Sequence, residues 1–179
     1  MLKEKKSLIG RGALIATTLI WGTSFVVLKS ALDDITPLWV LAIRFGGAAL
    51  IMLLASLPTL KKLDRQYIKS GAVMGLCLAA AYTVQTYGLV YTTPGKNAFL
   101  TATYCILVPF LYWILLGKRP DRFNIGAAVI CLVGMGFVCL NEDLSVNIGD
   151  ALTVCCGLFY GLHIIATARS VEGRDPLLL

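Results

Sequence analysis

Arg44 stands in the run "PLWVLAIRFGGAAL" and is the one ionisable side chain well inside a long apolar stretch of this 179-residue chain. A charge buried in hydrocarbon costs a few kcal/mol, so it usually faces a bundle interior, a polar cavity or a partner. Two roles suit it: an anchor for an anionic group on a solute, or a pairing partner that fixes helix packing. A third reading is snorkelling, since Pro37 is seven residues away, roughly 10 Å along a helix, and a long Arg can reach that interface.

Other polar groups sit in equally apolar surroundings. Trp21, Gly22, Thr23, Ser24 and Phe25 form an aromatic and hydroxyl cluster within "LIWGTSFVVL". Ser and Thr can bond their own helix and Gly permits a close backbone, which together expose polar surface to a cavity or serve packing alone. Tyr82 and Gln85, three apart, share one helical face, and Asn97, Thr101 and Tyr104 follow at spacings of four and three. Two such stripes suggest a lined pathway, although interhelical hydrogen bonding explains each separately. His163, the only histidine, is either a protonatable group near physiological pH or a hydrogen-bonded packing residue. Pro109 removes a backbone bond and is expected to kink its helix. The pairs Gly71 with Gly75 and Gly157 with Gly161 mark close helix packing, within the protomer or at a homodimer contact.

These residues need elements that hold them in lipid. The chain is 58% hydrophobic and 15% charged, with a mean hydropathy of +0.79, more apolar than soluble domains. Six uncharged stretches are each long enough to cross a hydrocarbon core of roughly 30 Å as a helix. They predict an all-α polytopic membrane protein with helices near 12–32, 37–58, 68–91, 95–117, 122–140 and 149–169. The first lacks a small-residue cleavage motif after its apolar run and reads as a retained span rather than a signal peptide.

Charge assigns an orientation. Thirteen of the sixteen Lys and Arg residues precede span 1, follow span 6 or lie between spans 2 and 3 or 4 and 5; Lys29 and Lys96 lie on the other side, and Arg44 lies within span 2. The positive-inside rule therefore places both termini in the cytoplasm of a multi-pass protein of the cell (inner) membrane. It also removes nucleic acid as an explanation of the net charge of +6. All six cysteines fall within the expected spans, where they act as packing residues rather than as disulfides or metal ligands. No acidic residue is expected within a span, and no HExxH, nucleophile elbow or P-loop occurs. Enzymatic catalysis therefore has no constellation to use, and neither a cofactor nor a metal is expected.

A repeat organises the whole. At an offset of 139, Tyr160 falls on Trp21, Gly161 on Gly22, Pro176 on Pro37 and Leu177 on Leu38. The two copies are separated by five spans, an odd number, so they cross the membrane in opposite senses as inverted-topology repeats do. Residues 1–140 then form one five-helix unit and 141–179 the start of a second.

The stretches "IWGTSFVVLKSAL…TPLWVLAIRFGGAAL", "YGLVYTTPGKNAFLTATYCILVPFLYWILLGKRP" and "NIGAAVICLVGMGFVCL" resemble the EamA-type family of the drug/metabolite transporter superfamily. The resemblance covers nearly the whole chain. It implies ten transmembrane helices in two inverted five-helix repeats that export small metabolites or amphipathic compounds by alternating access. The family often has an acidic residue just after span 4, where this chain has Lys118. The expected partners are a small-molecule solute and the lipid bilayer, and the expected pathway runs past Trp21, Ser24, Phe25, Arg44, Tyr82, Gln85, Thr101, Tyr104, Tyr160 and His163. The competing expectation is a non-transporting truncated membrane protein, or one half of an oligomeric carrier.

Overall fold

The computed structural model describes residues 2–139, 147–175 and 178, with side chains from residue 10 to 137 in the first segment. Pro176 and Leu177, which close the repeat in sequence, and the side chains of Lys3, Lys5, Lys6 and Cys139 lie outside the described residues. The described residues form seven α-helices and no strand. Helices pair most of their backbone groups internally, as hydrocarbon requires.

Helix α1 runs Leu2–Asp34, α2 Pro37–Ser56, α3 Arg65–Tyr91, α4 Pro94–Thr101, α5 Tyr104–Leu116, α6 Arg122–Cys139 and α7 Ile148–Val171. A 3₁₀ turn over Leu57–Lys62 prolongs α2. Local chemistry sets these limits. Both Thr36 and Thr93 are N-caps followed by Pro at the start of a helix, where the missing N–H costs nothing. The Asp64 carboxylate accepts from the amides of Gln66 and Tyr67 at 2.7 and 2.8 Å, and Asn147 with Asp150 forms a reciprocal capping box. Gly117, at φ 72°, ends α5 in the left-handed conformation that other residues seldom take.

Five segments are long and apolar enough to cross a membrane: Gly10–Asp34, Pro37–Lys62, Arg65–Tyr91, Pro94–Leu116 and Ile148–Val171. The expected fifth span is the shorter apolar helix Arg122–Phe137, within an α6 of 18 residues. The span expected at 95–117 is continuous in sequence but broken in structure. Its helix stops at Thr101 and resumes at Tyr104, N-terminal to the turn from Cys105 to Pro109 that the proline itself disturbs. At the break the amides of Ala102 and Thr103 bond the carbonyls of Phe99 and Leu100 at 3.1 Å, an i→i+3 pattern. The Thr103 hydroxyl also returns to the Leu100 carbonyl at 2.7 Å, so local bonds compete with the regular helix ladder.

Packing centres on α7. Its largest interface is with α3, and it also touches α4 and α5, while α6 lies against α4 and α5 and α1 and α2 lie at the periphery. The reason is a line of small residues at four-residue spacing, Gly149, Thr153, Gly157 and Gly161, that lets neighbouring backbones approach. A Cβ on Gly88 of α3 would stand 2.6 Å from Thr153 Oγ1 and 2.9 Å from the Gly149 carbonyl. A Cβ on Gly157 would collide with the Thr103 hydroxyl, so the break in α4–α5 docks where α7 has no side chain. The Gly157–Gly161 pair therefore serves packing within the protomer, whereas Gly75 faces open space.

Candidate functional site

The helix ends set out above sort the loops into two ends of the bundle. One carries Lys61, Lys62, Lys118, Arg119 and Arg174; at the other, α3 ends and α4 and α7 begin. Between them, the middle of the bundle collects most of the residues singled out in the sequence.

Arg44 of α2 lies over the ring of Tyr82 of α3, its guanidinium carbon 4.9 Å from the ring centroid. That placement is a cation–π contact on the quadrupole of the phenol. The rings continue across the bundle: Phe45 meets Tyr82 edge-on at 5.1 Å, Tyr82 meets Tyr160 at 5.4 Å, and Tyr104 meets Tyr160 at 6.0 Å. Arg44 Nη1 is buried and has no hydrogen-bond partner among the described residues. A buried donor without an acceptor is costly, so this nitrogen is left unsatisfied by the protein around it.

Beneath the rings lies a chain of side-chain hydrogen bonds. The Tyr160 hydroxyl donates to Gln85 Oε1 at 3.1 Å, Gln85 Nε2 donates to the Thr101 hydroxyl at 2.8 Å, and that hydroxyl donates to the Asn97 carbonyl at 2.8 Å. Asn97 Nδ2 reaches the Thr153 hydroxyl at 2.7 Å, and Asn97 Oδ1 is buried without a partner. Four helices, α3, α4, α7 and through the Tyr104 ring α5, are thereby tied together. In low dielectric such a network both rigidifies and specifies the packing.

The break in α4–α5 opens a hollow of about 190 Å³ lined by Thr18, Trp21, Gly22, Phe25, Thr101 and Tyr104, among others. Tyr104 belongs to both features, since it lines the hollow and packs on Tyr160. Trp21 and Tyr160, 139 residues apart in the sequence, are thus linked through Tyr104.

The expected pathway residues divide accordingly. Arg44, Tyr82, Gln85, Thr101, Tyr104 and Tyr160 form one connected group, and Trp21 and Phe25 join it at the hollow. Ser24 spends its hydroxyl on the Trp21 carbonyl at 2.6 Å, within its own helix. His163 lies elsewhere: its Nδ1 is 3.0 Å from the Met74 carbonyl of α3 and its Nε2 is 3.5 Å from the Thr167 hydroxyl. These are the bonds of a residue between packed helices.

One sequence expectation needs correction. Asp150 is an acidic residue inside the membrane-spanning segment Ile148–Val171, only 2% exposed. In the sequence it sits just outside the uncharged stretch that begins at Ala151, where composition does not mark it as buried. Its carboxylate receives Lys96 Nζ at 2.6 Å, the Thr92 hydroxyl at 2.7 Å and the Asn147 amide at 3.1 Å. One carboxylate therefore joins the end of α3, the start of α4 and the start of α7. Lys96, which the charge pattern assigns to the end opposite the basic loops, is 7% exposed. Lys29, the other cation of that end, donates to the Leu89 and Val90 carbonyls at 2.8 Å each, satisfying acceptors that the end of a helix leaves free. The sequence held a clue to Asp150 in the spacing Asn147-x-x-Asp150 before an apolar run, which is a capping box. No comparable clue pairs it with Lys96, 54 residues away.

Among the described residues, no three His, Cys, Asp or Glu side chains gather as a metal site would require. The Cys77, Cys105, Cys131, Cys155 and Cys156 thiols are free.

Residues 8–140, which run from the first turns of α1 past the end of α6, match the EamA-like transporter family. An uncharacterised transporter of Archaeoglobus fulgidus is 35% identical over 167 residues, which is 93% of this chain and 51% of that protein. The uncharacterised transporter YoaV of Bacillus subtilis is 28% identical over 156 residues, 83% of this chain and 53% of that protein. The chain thus spans about half the length of the curated relatives it matches. No solved structure matches it. On the family match, and on helices long enough to cross a bilayer, this chain belongs to the EamA-like transporter family and is a multi-pass membrane protein.

Proposed function

We propose that the chain supplies the solute-binding part of a drug/metabolite exporter whose cargo is a small polar or amphipathic molecule carrying an anionic group. The observation that carries this reading is Arg44: a guanidinium two turns into its span, seated on Tyr82, with one buried nitrogen unpartnered. An anion at that nitrogen would gain a charge-assisted hydrogen bond, and the aromatic row from Phe45 to Tyr104 would take an apolar part of the same molecule.

In this reading transport proceeds by alternating access between two inverted repeats, with the basic end in the cytoplasm. The interrupted span α4–α5 supports it, because broken helices beside a hollow are how many carriers build a site and a hinge at midplane. Residues 1–140 are one repeat and α7 opens the next. Catalysis plays no part.

The test is uptake into proteoliposomes with a panel of anionic, neutral and cationic solutes. Arg44→Gln should abolish movement of the anionic solutes, and Arg44→Lys should retain part of it with a weaker apparent affinity. If Arg44→Gln moves the same solutes as the parent, the reading is lost. A second reading, one half of an oligomeric carrier formed with another copy, is favoured by Gly22 of α1, where no atom lies within 4 Å of a Cβ position and another helix backbone could approach closely. Cross-linking through a cysteine placed at Leu14 in native membranes would detect that partner.

A further inference from the structure

A second hollow, of about 400 Å³, lies between α3, α5 and α7 at the basic end. Its lining changes character along its length. At the mouth are Lys69, Ser70, Arg169 and Ser170; further in, the wall is Val73, Leu115, Leu162, Ile165 and Ala166.

Among the described residues, no carboxylate lines the mouth. Neither Lys69 nor Arg169 has an ion pair among the described residues. Glu172 and Asp175, the acidic residues nearest in sequence, do not line the hollow. Arg174 lies beside it, donating to the Ser70 hydroxyl at 2.7 Å and resting over the Tyr67 ring. Because Ser70 accepts that bond with a lone pair, its own hydroxyl proton is available to a further acceptor. Three cations and a free O–H donor thus surround one opening, above a wall that is aliphatic apart from the weakly polar Cys77 thiol.

We propose that this hollow binds an anionic phospholipid, with the phosphate between Lys69, Arg169 and Ser70 and an acyl chain along Leu162, Ile165 and Ala166. A free phosphate ion would use the mouth and leave the wall idle, and a zwitterionic lipid would set its own cation against the lysine. An anionic lipid matches both parts. Basic openings between transmembrane helices hold such headgroups for the same electrostatic reason. The site is independent of solute transport, since it requires only that the chain lie in a bilayer.

Lipid retention on the purified chain, read by native mass spectrometry, tests this. Phosphatidylglycerol and phosphatidylcholine with identical acyl chains are compared, with inorganic phosphate as competitor. Phosphatidylglycerol should be retained over phosphatidylcholine. The double substitution Lys69→Gln with Arg169→Gln should reduce that retention roughly thirty-fold, as two surface cations of about 1 kcal/mol each imply. Ala166→Trp, which fills the wall without touching charge, should also reduce it, and Lys61→Gln with Lys62→Gln, at the same end but away from the hollow, should not. Equal loss in the two charge doubles would show general surface attraction and overturn the site. Retention unchanged by Ala166→Trp, equal retention of phosphatidylcholine, or displacement by inorganic phosphate would each overturn it as well.

Discussion

Helices α1 and α7 share an aromatic-Gly pair at an offset of 139 and meet opposite circumstances. At the offset of 139, Gly149, Thr153, Gly157 and Gly161 correspond to Gly10, Leu14, Thr18 and Gly22. On α7 Gly149, Thr153, Gly157 and Gly161 are pressed against α3, α4 and α5. On α1, Gly10 and Gly22 have no atom within 4 Å of where a Cβ would stand. Two helices of similar composition therefore differ in what their small residues do. In lipid, apolarity alone does not drive helices together, since a lipid tail is as apolar as Leu. What separates them is the matching surface: Gly88 on α3 and the break at Ala102–Thr103 stand opposite α7, and no equivalent stands opposite α1.

That contrast can be broken position by position. The largest effect is expected at Asp150, whose replacement by Ala leaves Lys96 buried and unpaired and should cost about 3–5 kcal/mol. Its counterpart on α1, Arg11, is exposed, and Arg11→Ala should leave stability unchanged. Equilibrium unfolding of the detergent-solubilised chain compares the two. Combining Lys96→Met with Asp150→Leu should recover most of the loss, because the penalty lies in the stranded charge; failure to recover would mean that the carboxylate matters chiefly as the cap joining three helix ends.

Next comes Gly157→Ala, which drives a methyl into the Thr103 hydroxyl and should destabilise by about 1–3 kcal/mol. Adding Thr103→Ala should relieve it, since that removes the atom struck. Tyr160→Phe removes the donor to Gln85 and should cost about 0.6 kcal/mol, and no more than about 1.7, the range found for single hydrogen bonds between membrane helices. The smallest difference is between Gly161→Ala and Gly22→Ala. The former meets only the end of the Leu111 side chain, which can turn away, and the latter meets nothing. Both should stay within about 0.5 kcal/mol of the parent. If Gly22→Ala proves as harmful as Gly157→Ala, α1 is packed as closely as α7 and the contrast disappears.

The sequence was most readable where the cause is local. Thr36-Pro37 and Thr93-Pro94 begin helices, Gly117 ends one, and the length of each uncharged run gives the number of apolar helices. Much of the site was also legible, because a Tyr, Gln or Arg inside an apolar run must find a partner in the bundle. Ser24 and His163 have the same composition signal, yet the bonds they make differ: one returns to its own helix, the other to the Met74 carbonyl. The type of residue says that a partner is needed and not which one.

What the sequence determined by itself, then, is a set of apolar helices, their ends and the side chains that could not face lipid, since each follows from short-range sterics or from the cost of an unpaired polar group in hydrocarbon. The tertiary structure alone decided that α7 would be the central helix, that the span Pro94–Leu116 would break at Ala102–Thr103, and that Lys96 would meet Asp150. Those outcomes depend on which surfaces fit at close range, Gly157 against Thr103 and Gly88 against Gly149. Complementarity between segments more than 50 residues apart is a property of two surfaces at once.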